Sequence, residues 1–265
     1  MEQTATQSKG KAGAEDWITH SHGLILARSG RLQLARHMSR QAVELALQAG
    51  QRERAATYEA GAATWEAFFG NKAAARERIA SALNLAKGRD VEYAAAFASG
   101  LAGDLSLSQT LTNDLEKQYP EDTSVQFNYL PTLRALYAIN HNDPRQAIEL
   151  LQAAGPPHEL AISALDFFAC FGTLYPVYMR GQAYLAAHQG AEAATEFQKI
   201  LDHRGIVLGD PTGALAHLQL GRAYTLTGDK TKARAAYQDF LALWEDADSD
   251  IPILKEAKTE YGKLQ

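Results

Sequence analysis

Residues 221–240 read GRAYTLTGDKTKARAAYQDF, and the spacing of small, aromatic and turn residues in them decides the fold. Two antiparallel helices joined at Gly228-Asp229 account for the whole stretch. Gly221 and Tyr224 lie on the first helix, and Ala233, Tyr237 and Phe240 on the second. Separations of three, four and seven residues put each set on one face. The small Gly221 and Ala233 let the backbones approach, the tyrosines fill the space beside them, and Asp229 is placed to cap the second helix through its free amides.

One hairpin cannot bury its own apolar face, so this reading requires further copies along the chain. Aligned on the turn, the copies are Gly30 with Ala35, Gly70 with Ala75, Gly103 with Ser108, Asn142 with Ala147, His188 with Ala193, and Gly228 with Ala233. In each, a small residue follows the turn by five positions, and successive turns are 40, 33, 39, 46 and 40 residues apart. Copies five and six are the clearest, with Gly181, Tyr184 and Phe197 matching Gly221, Tyr224 and Tyr237. The pattern resembles the tetratricopeptide (TPR) repeat of ~34 residues per helix pair. Residues in excess of that period belong to loops, notably Gly155-Pro156-Pro157 and HRGIVLGDP at 203–211. The expected fold is therefore all-α: a TPR-like α-solenoid of about six helical hairpins plus a C-terminal capping helix in IPILKEAKTEYGKL (251–264). Residues 15–265 form a single superhelical domain behind a flexible leader at 1–14.

Composition agrees. The 265 residues are 46% hydrophobic, enough for a continuous core, and no apolar run approaches the ~18 residues that span a bilayer. The polar start, MEQTATQSKGKAGAED, has no apolar signal-peptide core, and a cytoplasmic location is expected. Cys170 is the only cysteine, which excludes an intramolecular disulfide. The net charge of −5 is unevenly spread: residues 1–88 carry 12 basic and 8 acidic side chains, residues 89–169 carry 4 and 11, and residues 170–265 carry 10 and 12. Arg28, Arg31, Arg36 and Arg40 form a basic run without the interleaved aromatics that stack bases, so it reads as a solvated helix face and no nucleic-acid partner is expected.

The candidates for chemistry fail one by one. DHRG at 202–205 is similar to the catalytic loop of protein kinases but has Gly205 where the catalytic base belongs, and DFF at Asp166–Phe168 lacks the glycine of DFG. His20 and His22 are two apart and point to different sides of a helix, and the other histidines are scattered, so no metal site is expected. Cys170 in DFFACFG reads as a core residue. The chain is expected to be non-catalytic, without metal or cofactor.

Beyond the generic repeat, QFNYLPTLRA (126–135), AIELLQAA (147–154), LYPVYMRGQAYL (174–185), FQKILDHRGIVLGDPTGALAHLQLGRAY (197–224) and DADSDIPILKEAK (246–258) resemble the TPR-bearing C-terminal region of bacterial eukaryotic-like serine/threonine protein kinases. SGRLQLARHMSRQAV and GNKAAARERIASAL are similar to its earlier repeats. In such proteins a kinase domain precedes the repeats; none is read in these residues, and a separated repeat region and a stand-alone relative both stay open. The resemblance implies a docking or regulatory role beside a kinase, with a protein or peptide segment as partner; a self-associating structural solenoid, forming a homodimer, is the alternative.

In TPR arrays the first helix of each pair lines a concave groove with its second, fifth, ninth and twelfth positions. Carried across, that register selects Trp17, His20 and Leu24, then Thr57 and Thr64, then Asp90, Tyr93 and Phe97. Tyr129, Thr132 and Leu136 follow, then Tyr175, Tyr178 and Gln182, and last Leu215, Leu218 and Arg222. The lysine, arginine and asparagine of a carboxylate clamp are missing from these places. The candidate ligand-binding residues are thus Tyr93, Phe97, Tyr129, Tyr175, Tyr178, Gln182 and Arg222, an aromatic groove suited to apolar anchors of a peptide.

Overall fold

The computed structural model describes residues 13–152 and 174–264. Most of the leader, Gly155-Pro156-Pro157, the DFF stretch, His158 and Cys170 lie outside the described residues. Among the described residues there are only helices and turns. Six hairpins follow one another: α1 (Glu15–Arg28) with α2 (Leu32–Gln48), α3 (Arg52–Phe68) with α4 (Lys72–Leu85), and α5 (Arg89–Ala102) with α6 (Leu105–Gln118). Then come α7 (Leu130–Asn140), entered through a π-helical turn at Val125–Tyr129, with α8 (Pro144–Gln152), and α9 (Tyr175–Ala186) with α10 (Gly190–Asp202). A short α11 (Arg204–Val207) leads to α12 (Thr212–Thr227) with α13 (Lys230–Leu243), and α14 (Pro252–Gly262) ends the chain. The protein is an all-α helical solenoid. HRGIVLGDP, read as a loop, contains α11, after which Leu208 takes φ 51°.

The six turns share one geometry. Gly30, Gly70, Gly103, Asn142, His188 and Gly228 all have positive φ, between 57° and 84°. The residue after each donates its N–H to the carbonyl five positions back, at 2.8–3.0 Å in all six. That is the Schellman ending of a helix, which needs a left-handed residue; asparagine tolerates that conformation, and His188 is held in it by its context. The small residue five positions later is buried every time: Ala35, Ala75, Ala147, Ala193 and Ala233 are fully enclosed and Ser108 nearly so.

A second small position was recognised in the sequence only in the last two copies. Seven residues before each turn stand Gly23, Ala63, Ala96, Ala135, Gly181 and Gly221, all buried. These are where the partner helix crosses. A Cβ on Gly23 would stand 3.3 Å from the Ala35 carbonyl oxygen, and one on Gly221 would stand 2.7 Å from the Tyr237 ring. The copies that look degenerate by residue identity keep this burial pattern.

The stack does not remain an open spiral. Helix α3, rich in alanine, is buried on nearly all sides, as a helix at the centre of a larger core must be. Phe68 at its end packs edge-on against Tyr175 and Tyr178 of hairpin five, with ring centroids 5.5 and 5.3 Å away. Hairpin six touches hairpin one: Arg28 donates to the Leu208 carbonyl, and Trp244 lies against Gly30. The capping helix, expected to seal an open end, covers the last hairpin with Ile253, Leu254 and Ala257 and also meets Gly70 of hairpin two through Pro252. One hydrophobic cluster therefore runs from Leu24 to Ala257.

Candidate functional site

The groove residues expected from the register do lie on the inner faces of the first helices, but closure of the superhelix fills the space they border. Tyr93, Phe97, Tyr129, Tyr175 and Tyr178 are between 0% and 6% exposed. Tyr93 stacks on Tyr129 at 3.8 Å and Phe97 on Tyr175 at 4.8 Å. Instead of facing a ligand they face one another and Phe68. This corrects the expectation that these rings are accessible: where turns of the superhelix meet across their axis, the aromatic area is used as core.

Their hydroxyls are tied in as well. Tyr129 donates to Asp90 at 2.9 Å and Tyr175 to Asp210 at 3.1 Å, while Tyr178 accepts from Gln219 at 3.0 Å and shares a further hydrogen bond with the half-buried Gln182. Burial pushes the Tyr178 phenol up to about 12 and raises Tyr129 further, with Asp90 adding to the shift. Burial likewise raises the Asp210 carboxyl, which accepts from Thr212 and Tyr175. Arg222 is gripped by both oxygens of Glu260 at 2.9 Å, with Glu256 at 3.3 Å, so it fastens the terminal helix to hairpin six.

The basic run is also partly structural. Arg36 makes a two-point pair with Glu66 at 2.6 and 2.7 Å, and Glu66 is 3% exposed. Arg28 bridges to the Leu208 carbonyl; only Arg31 and Arg40 are exposed. Among the described residues no three His, Cys, Asp or Glu side chains converge as metal ligands, and no helix is long and apolar enough to cross a membrane. His20 is fully buried, stacked on Tyr58 at 4.3 Å, and burial followed by the nearby Arg78 lowers its imidazole to about 3, so it is a neutral core residue.

What the outside offers is different. Pro131 has no N–H for the carbonyl four residues back, that of Phe127, and the chain widens into a π turn over Val125–Tyr129 just before it. The wider turn keeps Asn128 and Tyr129 inside and leaves Phe127 52% exposed. Such turns are frequent at functional sites. Further along the same helix Tyr137, 36% exposed, stacks on His141 at 4.1 Å and forms one wall of a cleft of about 210 Å³ between α6, α7 and α8. Leu133 and Leu150 give the cleft an apolar lining, and Ser108, Thr112 and Gln146 add hydrogen-bonding groups. Arg134 stands at its edge, paired with Glu116 at 2.6 Å in an exposed ion pair.

A larger cleft, about 500 Å³, lies between α10 and α12–α13, but its cations are already paired, Lys199 with Glu196 and Lys232 with Asp229. The groove register selected the inner face of α7 and passed over Phe127 and Tyr137. The signal was present in QFNYLPTLRALY, where apolar side chains occupy two faces of one helix instead of one. No protein-family model matches this chain, and no curated protein matches it.

Proposed function

We propose that this protein is a non-catalytic docking module, an α-solenoid of TPR type that binds a segment of another protein on the outer face of its fourth hairpin. The observation that carries the reading is the exposed Tyr137 in the wall of a cleft with an apolar lining, with a second exposed aromatic, Phe127, in the π turn that enters the same helix. Aromatic side chains at the surface that flank a small pocket are the usual anchors of binding energy. The occupant is an amphipathic segment that brings an aliphatic or aromatic side chain into the cleft and hydrogen-bonding groups to Gln146 and Thr112. The resemblance to kinase-appended repeats supports a partner that works beside a serine/threonine kinase, in the cytoplasm.

Affinity capture with the full chain, followed by titration of the captured protein, tests this. Phe127→Ala or Tyr137→Ala should weaken binding by at least ~10-fold, as loss of a hot-spot aromatic does, with the melting temperature within ~2 °C of wild type because neither ring is buried. Tyr178→Phe, inside the core, should leave binding unchanged. Binding that survives both outer substitutions refutes the assignment.

A further inference from the structure

The segment from Trp244 to Ile253 finishes helices that belong to the other end of the chain. Every helix leaves amides at its start and carbonyls at its end without partners. The Trp244 indole Nε1 donates to the carbonyl of Arg28, the last residue of α1, at 2.9 Å. Gln33, in the first turn of α2, donates its amide to Asp248 Oδ2 at 2.7 Å, and the Asp248 amide donates to the Gly30 carbonyl at 3.0 Å. Arg31, at the N-cap of α2, makes no side-chain cap, so the capping carboxylate comes from 215 residues away. Ile253 donates its amide to the Phe69 carbonyl at the end of α3, at 3.3 Å.

The fit is steric and electrostatic too. A Cβ on Gly30 would stand 2.5 Å from Ala247 and 2.8 Å from the Trp244 ring, so only glycine admits the segment. Asp248 and Asp250 both strengthen the hold on the Arg36 proton, behind Glu66, which links the acidic DADSD stretch to the basic first hairpin. Yet the segment's own packing is confined to a few points. Trp244, edge-on to Phe69 at 5.1 Å, Ile251 and Ile253 are its buried apolar anchors, while Glu245, Asp246, Ser249 and Asp250 are exposed. Its remaining hold consists of hydrogen bonds to helix ends, where water is a ready substitute.

We propose that residues 244–253 are a clasp that closes the superhelix and opens as a local unit before the hairpins unfold. Opening uncaps α2, frees the ends of α1 and α3, and separates hairpins one and two from hairpin six along the edge that leads to Phe69 and the aromatic interior. Segments with few buried contacts and exposed backbone hydrogen bonds open in this way below the global transition. The attraction between Asp248, Asp250 and the Arg36 charge makes the opening sensitive to salt.

Hydrogen exchange followed by mass spectrometry on the full chain tests the clasp without any ligand, so its outcome is independent of the docking face. In Asp248→Ala, peptides covering 28–36 and 244–253 should exchange about 10-fold faster than in wild type, the effect of losing one charge-assisted cap. Peptides covering 175–202 should not change. Raising the salt concentration on the wild-type chain should move the same two peptides in the same direction. Acceleration confined to those peptides supports the clasp. Acceleration shared by 175–202, or none in either arm, overturns it; the salt series decides the matter if Asp248→Ala does not fold.

Discussion

Placing one methyl group on Gly181 probes the helix crossing that every hairpin depends on. The added Cβ would lie 2.5, 2.7 and 2.9 Å from three ring atoms of Phe197, closer than real Cβ contacts come. Phe197 is fully buried and packs edge-on against Tyr178 at 5.6 Å, so the ring has nowhere to go. Alanine in place of glycine inside a helix gains ~1 kcal/mol of propensity, and overpacking costs ~1–3 kcal/mol. With three contacts this short the cost lies at the upper end, and Gly181→Ala should destabilise by ~1–2 kcal/mol. Gly205→Ala is the control: nothing lies within 4 Å of its Cβ position, so only the propensity gain remains. Urea unfolding measures both. The decisive arm is the double variant with Phe197→Ala, which costs ~3–5 kcal/mol by itself but removes the clash, so Gly181→Ala should change sign and stabilise in that background. A neutral or stabilising Gly181→Ala in the wild-type chain would refute the crossing geometry.

Acid should weaken the fold through His20. Its folded value of about 3 lies below the ordinary 6.5, so the unfolded chain takes up a proton that the folded chain refuses. The stability this contributes is complete above pH 6.5, has fallen by ~2 kcal/mol at pH 5, and goes on falling toward pH 3. In His20→Phe the slope of unfolding free energy against pH between 5 and 7 should flatten, and an unchanged slope would assign acid sensitivity to other groups. Glu66→Gln leaves Arg36 without a buried counter-charge and should cost ~3 kcal/mol, whereas Glu116→Gln in the exposed pair with Arg134 should cost under ~1 kcal/mol. Thermal unfolding of the two variants side by side checks the contrast.

The repeat was legible because its signals are local. A left-handed turn residue and a small residue five positions later are each required within a single hairpin, so they recur at constant spacing even where Asn142 or His188 replaces glycine. The inward register of Tyr93, Tyr129 and Tyr178 was legible for the same reason. What occupies the space in front of them was not, because Phe68 reaches Tyr178 from 110 residues away and no periodicity records that approach. Closure at the ends is more hidden still. It relies on backbone carbonyls at Arg28, Gly30 and Phe69, groups that every residue has, met by the Trp244 indole and by the backbone amides of Asp248 and Ile253. The outer site went unread since Phe127 is exposed by the π turn ahead of Pro131, and a regular helix was assumed there.

The central claim is that the two ends of this solenoid meet and enclose its aromatic face. A nitroxide attached at Ser249→Cys in a Cys170→Ser background tests it most directly, since Ser249 is exposed and adjoins Asp248, whose carboxylate holds the Gln33 amide at 2.7 Å. In the closed structure the label should erase the amide signals of Gly30, Gln33 and Leu34, as well as those of its sequence neighbours. If those three signals keep full intensity while the neighbours of residue 249 vanish, the ends are apart in solution and the aromatic groove is open.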